Sequence, residues 1–203
     1  MAENDGAGPV RAAAIIRPPA GGSVDCLEGF IRILQGQGYV VRGLIQRNDP
    51  AASSDCACAM KLVDVGNRQE FKISQDLGQH SEGCRVDTSQ LAEASVVLRQ
   101  ALSDKADLVV INKFGKLEAE GRGLADELLT VMASGTPMVT TVEFTLLDRW
   151  RDFSGGLAHE LAPTCGGLMR WWDDVKPKGL PRGLRRSEDQ GAFQRMEPIP
   201  ETS

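Results

Sequence analysis

The chain's 203 residues are 41% hydrophobic and 25% charged, which excludes disordered, collagen-like and disulfide-dense classes and suits one domain with a short tail. The formal net charge of −5 has the wrong sign for a surface built to hold nucleic acid. No apolar run approaches the roughly 20 residues of a membrane-spanning helix, and the opening MAENDGAGPV carries acids where a secretory signal carries bases, so a cytoplasmic protein without membrane insertion is expected.

Residues 1–9 are small, polar or Pro/Gly and read as a mobile leader. Ala12 to Ile16 is an unbroken apolar run, the pattern of a strand buried on both faces. The turn chemistry RPPAGGS follows from Arg17 to Ser23, and Leu27, Phe30, Ile31 and Leu34 then recur at helical spacing before Gly36 and Gly38. A second strand is predicted from Tyr39 to Ile45, then a polar loop from Arg47 to Asp55. A hairpin is predicted from Ala57 to Val65 and Glu70 to Ile73 around Gly66-Asn67. Ser74 to Arg85 reads as an irregular loop. Asp87 and Gln90 have the spacing of a capping box, and Leu91, Ala94, Val97, Leu98, Ala101 and Leu102 trace a helical face ending near Ala106.

Leu108 to Ile111 is the next buried strand, followed by a long loop from Asn112 to Gly123 and a helix from about Leu124 to Ala133. Pro137 to Val142 is a strand, Leu146 to Phe153 a short helix, Ala158 to Leu161 a short strand and Leu168 to Asp174 a closing helix. Strands alternating with helices imply a three-layer α/β fold with a mostly parallel sheet and an added antiparallel hairpin. The domain is placed at residues 10–175. Beyond it, residues 176–203 are rich in Pro, Gly and charge and read as a disordered, solvating tail.

Ligands of open α/β sheets bind outside the carboxyl ends of the strands, so the segments after Ile16 and Ile111 are the first candidates. Gly21, Gly22 and Ser23 precede a helix start, where exposed amides form an anion cradle to which Arg17 adds charge; a glycine-rich turn with an ordinary helix cap is the alternative. A nucleotide-binding phosphate loop would need Lys and a hydroxyl after its last glycine, and here Ser23 and Val24 stand there. The second segment carries Asn112, Lys113, Gly115, Lys116 and Arg122, with glycines that would permit close backbone approach. Those cations, with the first loop, could enclose a small oxyanion or a phosphorylated ligand; a solvated charged loop is the alternative.

The phrase NKFGKLEAEGRG, with QRN at Gln46 to Asn48, Cys56-x-Cys58, ISQD from Ile73 and GCRVD from Gly83, resembles an uncharacterised bacterial domain family associated with molybdate transport. Some of its members are fused to, or encoded beside, molybdate ABC-transporter ATPases. The resemblance spans about residues 12–174 and implies such an ATPase as a partner and molybdate or tungstate as the bound anion. More distantly, the order of elements is similar to the small P-loop nucleoside-triphosphatases, whose second motif reads Asp-Glu-x-Gly-Lys-x-Glu. Gly115, Lys116 and Glu118 match that motif and Gly22 matches the last phosphate-loop glycine. Asn112 replaces the acid that would hold magnesium through water, and Lys113 the acid that would position the attacking water. The resemblance therefore implies the fold and argues against hydrolysis, while the exchange of two acids for an amide and a cation favours a dianion.

Cysteine numbers 5, an odd count that cannot be fully paired within one chain. Cys56, Cys58 and Cys84, with His80 as a fourth group, have ligand types suited to zinc or another soft metal; reduced, packed cysteines are the alternative, and packing is the reading for Cys26 and Cys165. His159 reads as structural, and Trp150, Trp171 and Trp172 as core or interface anchors. The leading expectation is a degenerate P-loop-type accessory protein that binds an anion without hydrolysing nucleotide. The alternatives are a nucleotide-binding enzyme, either a nucleoside-triphosphatase or a phosphotransferase that uses Lys113 and Lys116 as a clamp, and a cysteine-based metal-binding module. Oligomeric state is open.

Overall fold

Strand β1 (Ala12–Arg17) carries three successive alanines and then Ile15, none with any exposed surface. Such a run requires cover on both faces of its sheet. The computed structural model, which describes residues 10–19, 25–48, 60–75, 85–179, 181 and 183, supplies both covers. In chain order the further elements are α1 (Asp25–Gly36), β2 (Val41–Asn48), β3 (Met60–Asp64), β4 (Glu70–Lys72), β5 (Ser74–Gln75), β6 (Arg85–Val86) and α2 (Thr88–Ser103). Then come β7 (Leu108–Phe114), α3 (Lys116–Ala119), α4 (Ala125–Ala133), β8 (Met138–Glu143), a 3₁₀ turn (Phe144–Leu146), α5 (Leu147–Ser154), β9 (His159–Leu161) and α6 (Cys165–Val175).

The described strands form a seven-stranded sheet in the order β4-β3-β2-β7-β8-β1-β9, with β5 and β6 paired apart from it. From β2 to β9 every pairing is parallel, and β3 and β4 add antiparallel neighbours at one edge. The expected α/β fold with an antiparallel hairpin is the observed one. The Gly66-Asn67 turn is held by the Asp64 carboxylate, which accepts from the Gly66 amide at 2.7 Å, and by the Asn67 side-chain Oδ1, which accepts from the Gln69 amide at 2.8 Å.

Alternate residues of each central strand feed two separate cores. Ala12, Ala14, Val109, Ile111, Met138 and Val142 pack with α2, α4 and α5 around Trp150. Ala13, Ile15, Val110 and Val139 pack on the other face with α1 and α6, around Phe30, Trp171 and Trp172. The tryptophans are thus core anchors, as expected. In α1, Leu27, Phe30, Ile31 and Leu34 are all buried, as their helical spacing requires. Gly43 in β2 has φ +124, and a Cβ there would lie 1.9 Å from the Val110 carbonyl oxygen, so only glycine lets β2 and β7 approach.

Several local expectations are corrected. The Asp87 carboxylate caps α2 by accepting from the amides of Ser89 and Gln90, but its own amide donates to the Ile73 carbonyl at 2.8 Å, so no reciprocal capping box forms. The ends of the predicted Ser74–Arg85 loop pair as β5 and β6. The closing helix begins three residues early, at Cys165, because Thr164 caps it by accepting from the Gly167 amide at 3.2 Å. The predicted leader lies outside the described residues. Of the tail, only residues 176–179, 181 and 183 are described, and the Gly183 amide donates to the Gly38 carbonyl at 3.0 Å. Among the described residues no helix is long and apolar enough to cross a membrane.

Candidate anion-binding site

The segment after Ile111 is not the long loop that its charge suggests. Strand β7 continues through Asn112, Lys113 and Phe114. Its register against β8 passes from Ile111↔Thr140 to Phe114↔Val142, so β7 carries one extra residue there as a bulge. Phe114 explains the continuation, because its ring is fully buried against Trp150 and Phe153, with centroids 5.1 Å from each. Asn112 also points inward, its side-chain oxygen accepting from the Thr141 hydroxyl on β8. The chain then turns into α3, a single helical turn.

Glu118 organises that turn. It is 7% exposed, and its two oxygens accept from the amides of Gly115 at 2.9 Å and Leu124 at 3.1 Å. The glycines serve this carboxylate: a Cβ on Gly115 would lie 3.3 Å from one Glu118 oxygen, and one on Gly123, where φ is +64, would lie 2.4 Å from the other. Close backbone approach is therefore used here, but by the chain's own side chain. Carboxylate bonds to two backbone amides hold Lys116 and the end of β7 in fixed relation to α4.

The cations meet at the carboxyl ends of β7, β8 and β1. Lys113 Nζ donates to Glu143 at 3.0 Å, and Glu143, the last residue of β8, is in register with Arg17, the last of β1. The hydrogen bond from Lys113 and then its charge hold the Glu143 carboxyl below its ordinary range; burial opposes this, and the charges of Arg17 and Lys116 reinforce it. The side chains of Lys113 and Glu143 are 30% and 46% exposed, so the pair is open to solvent and ligand. Arg17 Nε is buried and has no acceptor among the described residues. Arg122 is paired with Glu120 at the surface.

These observations are joined by sequence comparison. Residues 12–171 match the family described as "Protein of unknown function (DUF2478)". The chain belongs to this family. It is also 36% identical over 184 residues to "Molybdenum import ATP-binding protein ModC 2" of Bradyrhizobium diazoefficiens, a match that covers 91% of this chain and 20% of that protein. The chain thus spans about a fifth of the length of this curated relative. Among solved structures, the "Solution Structure of a Human Cancer-Related Nucleoside Triphosphatase" superposes with a TM-score of 0.56 at 16% identity, covering 93% of this chain and 100% of that one. That likeness establishes a P-loop nucleoside-triphosphatase type of fold for this DUF2478 chain.

Of the predicted site residues, the fold brings Arg17, Asn112, Lys113 and Lys116 to one end of the sheet, where Gly115 accommodates Glu118. Gly21, Gly22 and Ser23 lie outside the described residues, as do Cys56, Cys58, His80 and Cys84. Among the described residues no group of three or more His, Cys, Asp or Glu is placed to hold a metal. Cys165 is exposed at the start of α6, against the packing reading, and Cys26 on α1 is half-buried. His159 is exposed on the edge strand β9.

Two features escaped the sequence reading. Glu143 stands at the carboxyl end of a buried strand, and the rule that singled out the segments after Ile16 and Ile111 applies to it equally. The second is a cavity of about 540 Å³ between the hairpin, the start of α2 and the α3 segment. Leu62, Ile73, Leu91, Leu117 and Leu124 line it, and Lys113, Lys116 and Arg122 lie along its wall. No local pattern announces it, because its walls come from segments far apart in the chain.

Proposed function

We propose that this protein is an accessory domain of P-loop type that binds a dianion, either a tetrahedral oxyanion or a phosphoryl group, at the carboxyl ends of β1, β8 and β7 without hydrolysing nucleotide. The observation that carries this reading is the contact of Lys113 with Glu143 at 3.0 Å, with Arg17 in register beside Glu143 on β1 and Lys116 close enough for its charge to act on the same carboxylate. Arg17, Lys113 and Lys116 outnumber the carboxylates beside them, Glu143 and the amide-bound Glu118, and leave a positive surplus that an anion offsets. Lys113 and Lys116 supply point charges, and the Arg17 guanidinium adds a third from the end of β1.

Magnesium, which nucleotide hydrolysis in this fold would require, does not fit the described residues. Asn112 uses its oxygen on Thr141, and the Glu143 carboxylate is engaged by the Lys113 ammonium. A cation beside Lys113 would meet like charge. No hydrolytic step is therefore assigned. The name of the Bradyrhizobium relative supports a place in molybdenum import beside an import ATP-binding protein, where molybdate or tungstate is one of the dianions such a site can meet.

A thermal-shift panel on the full chain tests this reading with molybdate, tungstate, sulfate, phosphate and ATP, the last with and without magnesium. A native-state ligand at 100 times its Kd adds about 2.7 kcal/mol of stability. Stabilisation by dianions, with no release of phosphate from magnesium ATP, is the expected result. Magnesium-dependent turnover, or a panel with no shift, would overturn the proposal.

A further inference from the structure

A tetraoxoanion has few atoms and no apolar surface. The cavity that begins at Lys113 and Lys116 is a half-open cleft of about 540 Å³, against ~30 Å³ for one water in the liquid, and its floor is aliphatic. It falls within the roughly 300–1,000 Å³ of sites that enclose drug-sized organic ligands. We infer that the ligand is an organic phosphate whose monoester group sits on the cations and whose apolar ring enters this cavity. The inference rests on the anion-binding reading above and narrows its ligand class.

The two halves of the site share residues, which is what joins them. Lys113 binds Glu143 on the anion side and also lines the cavity; Lys116 acts on Glu143 and lines the cavity as well. An anionic group placed between Arg17 and these lysines thus has the apolar chamber directly beside it. Leu62, Ile73 and Leu91 form its inner walls and are nearly fully buried, while Leu117 and Leu124 come from the segment that Glu118 holds in place. A body packed among them loses water from both faces. The chamber also has a polar reader. The Gln46 amide nitrogen meets only the Met60 thioether among the described residues, at 3.3 Å, a weak acceptor that a ring nitrogen or carbonyl would displace. The chemistry that fits is therefore a flat, mostly apolar ring with a heteroatom at its edge and a phosphate monoester.

Calorimetric titration of the full chain with inorganic phosphate, methyl phosphate and phenyl phosphate separates the two readings. At pH 8 and matched ionic strength all three are dianions, so only the body attached to the phosphate differs. Burial of a good part of the phenyl ring makes phenyl phosphate bind at least about tenfold more tightly than methyl phosphate. In Leu117→Trp, where the indole fills the chamber, that ratio falls to near one. Equal affinities for the two esters in the unaltered chain, as if another part of the chain fills the cavity, would overturn the organic-ligand inference and leave the anion site standing. A phenyl preference that survives Leu117→Trp would overturn the assignment to this cavity. Absence of binding by all three anions would overturn the anion reading, and this inference with it.

Discussion

Glu118→Ala removes a side chain that ties the end of β7 to α4. Its carboxylate accepts from two amides, and their surroundings differ. Leu124 is 4% exposed, so its amide has no ready route to water once the acceptor is gone, whereas Gly115 is half-buried and can be solvated. An unsatisfied buried donor costs about 1–3 kcal/mol, and a replaced, solvated bond to a charged acceptor loses about 1 kcal/mol more. The expected destabilisation is thus about 2–4 kcal/mol, a large share of the roughly 5–15 kcal/mol that holds a domain folded. Glu118→Gln keeps one acceptor oxygen and turns an NH₂ toward the second amide, so it falls between, at about 1–2 kcal/mol. Urea unfolding followed by tryptophan fluorescence measures this directly, since Trp150 reports on one core layer and Trp171 and Trp172 on the other. A midpoint change equivalent to less than about 0.5 kcal/mol for Glu118→Ala would refute the reasoning, because ordinary surface substitutions fall within that range.

Gly43→Ala places a Cβ 1.9 Å from the Val110 carbonyl oxygen at φ +124, with backbone rather than a movable side chain in its way. It costs at least about 3 kcal/mol or prevents folding, as circular dichroism would show. Lys113→Ala weakens phosphate or molybdate binding by about 1.5–3 kcal/mol, while a thermal melt moves by less than about 1 kcal/mol because its ion pair is only half-buried and screened by solvent. Glu143→Gln removes the competing carboxylate and tightens dianion binding about two- to fivefold by titration. Glu143 is held below its ordinary range when folded, so its pair with Lys113 stabilises the protein above about pH 4.3 and ceases to as the pH falls through the lowered value. The small stability difference between the native chain and Glu143→Gln is therefore flat at neutral pH and disappears on acidification.

Most of the architecture was legible in the sequence because it rests on local periodicity. The unbroken run at Ala12 to Ile16, the four-residue helical face at Leu27 to Leu34 and the Gly66-Asn67 turn each encode their element without help from elsewhere. Their alternation implied a parallel sheet. The candidate site was legible as residue types at strand ends, and Arg17 and Lys113 stand at the ends of neighbouring elements around Glu143. What the sequence did not disclose was who pairs with whom. Glycines at 115 and 123 signal tight packing, but only the fold identifies Glu118 as the group packed against them. Strand β7 outran its expected end because burial of Phe114 between Trp150 and Phe153 outweighs the local charge. The cavity depends on bringing Leu62, Leu91 and Leu124 together, a long-range consequence of the strand order.

The most direct test of the central claim is titration calorimetry of the full chain with molybdate and with phosphate at two salt concentrations, beside the Lys113→Ala variant. The account predicts one saturable dianion per chain, bound more weakly at high salt and at least about tenfold more weakly by the variant. Binding that is absent, or unaffected by both salt and the loss of Lys113, would contradict it.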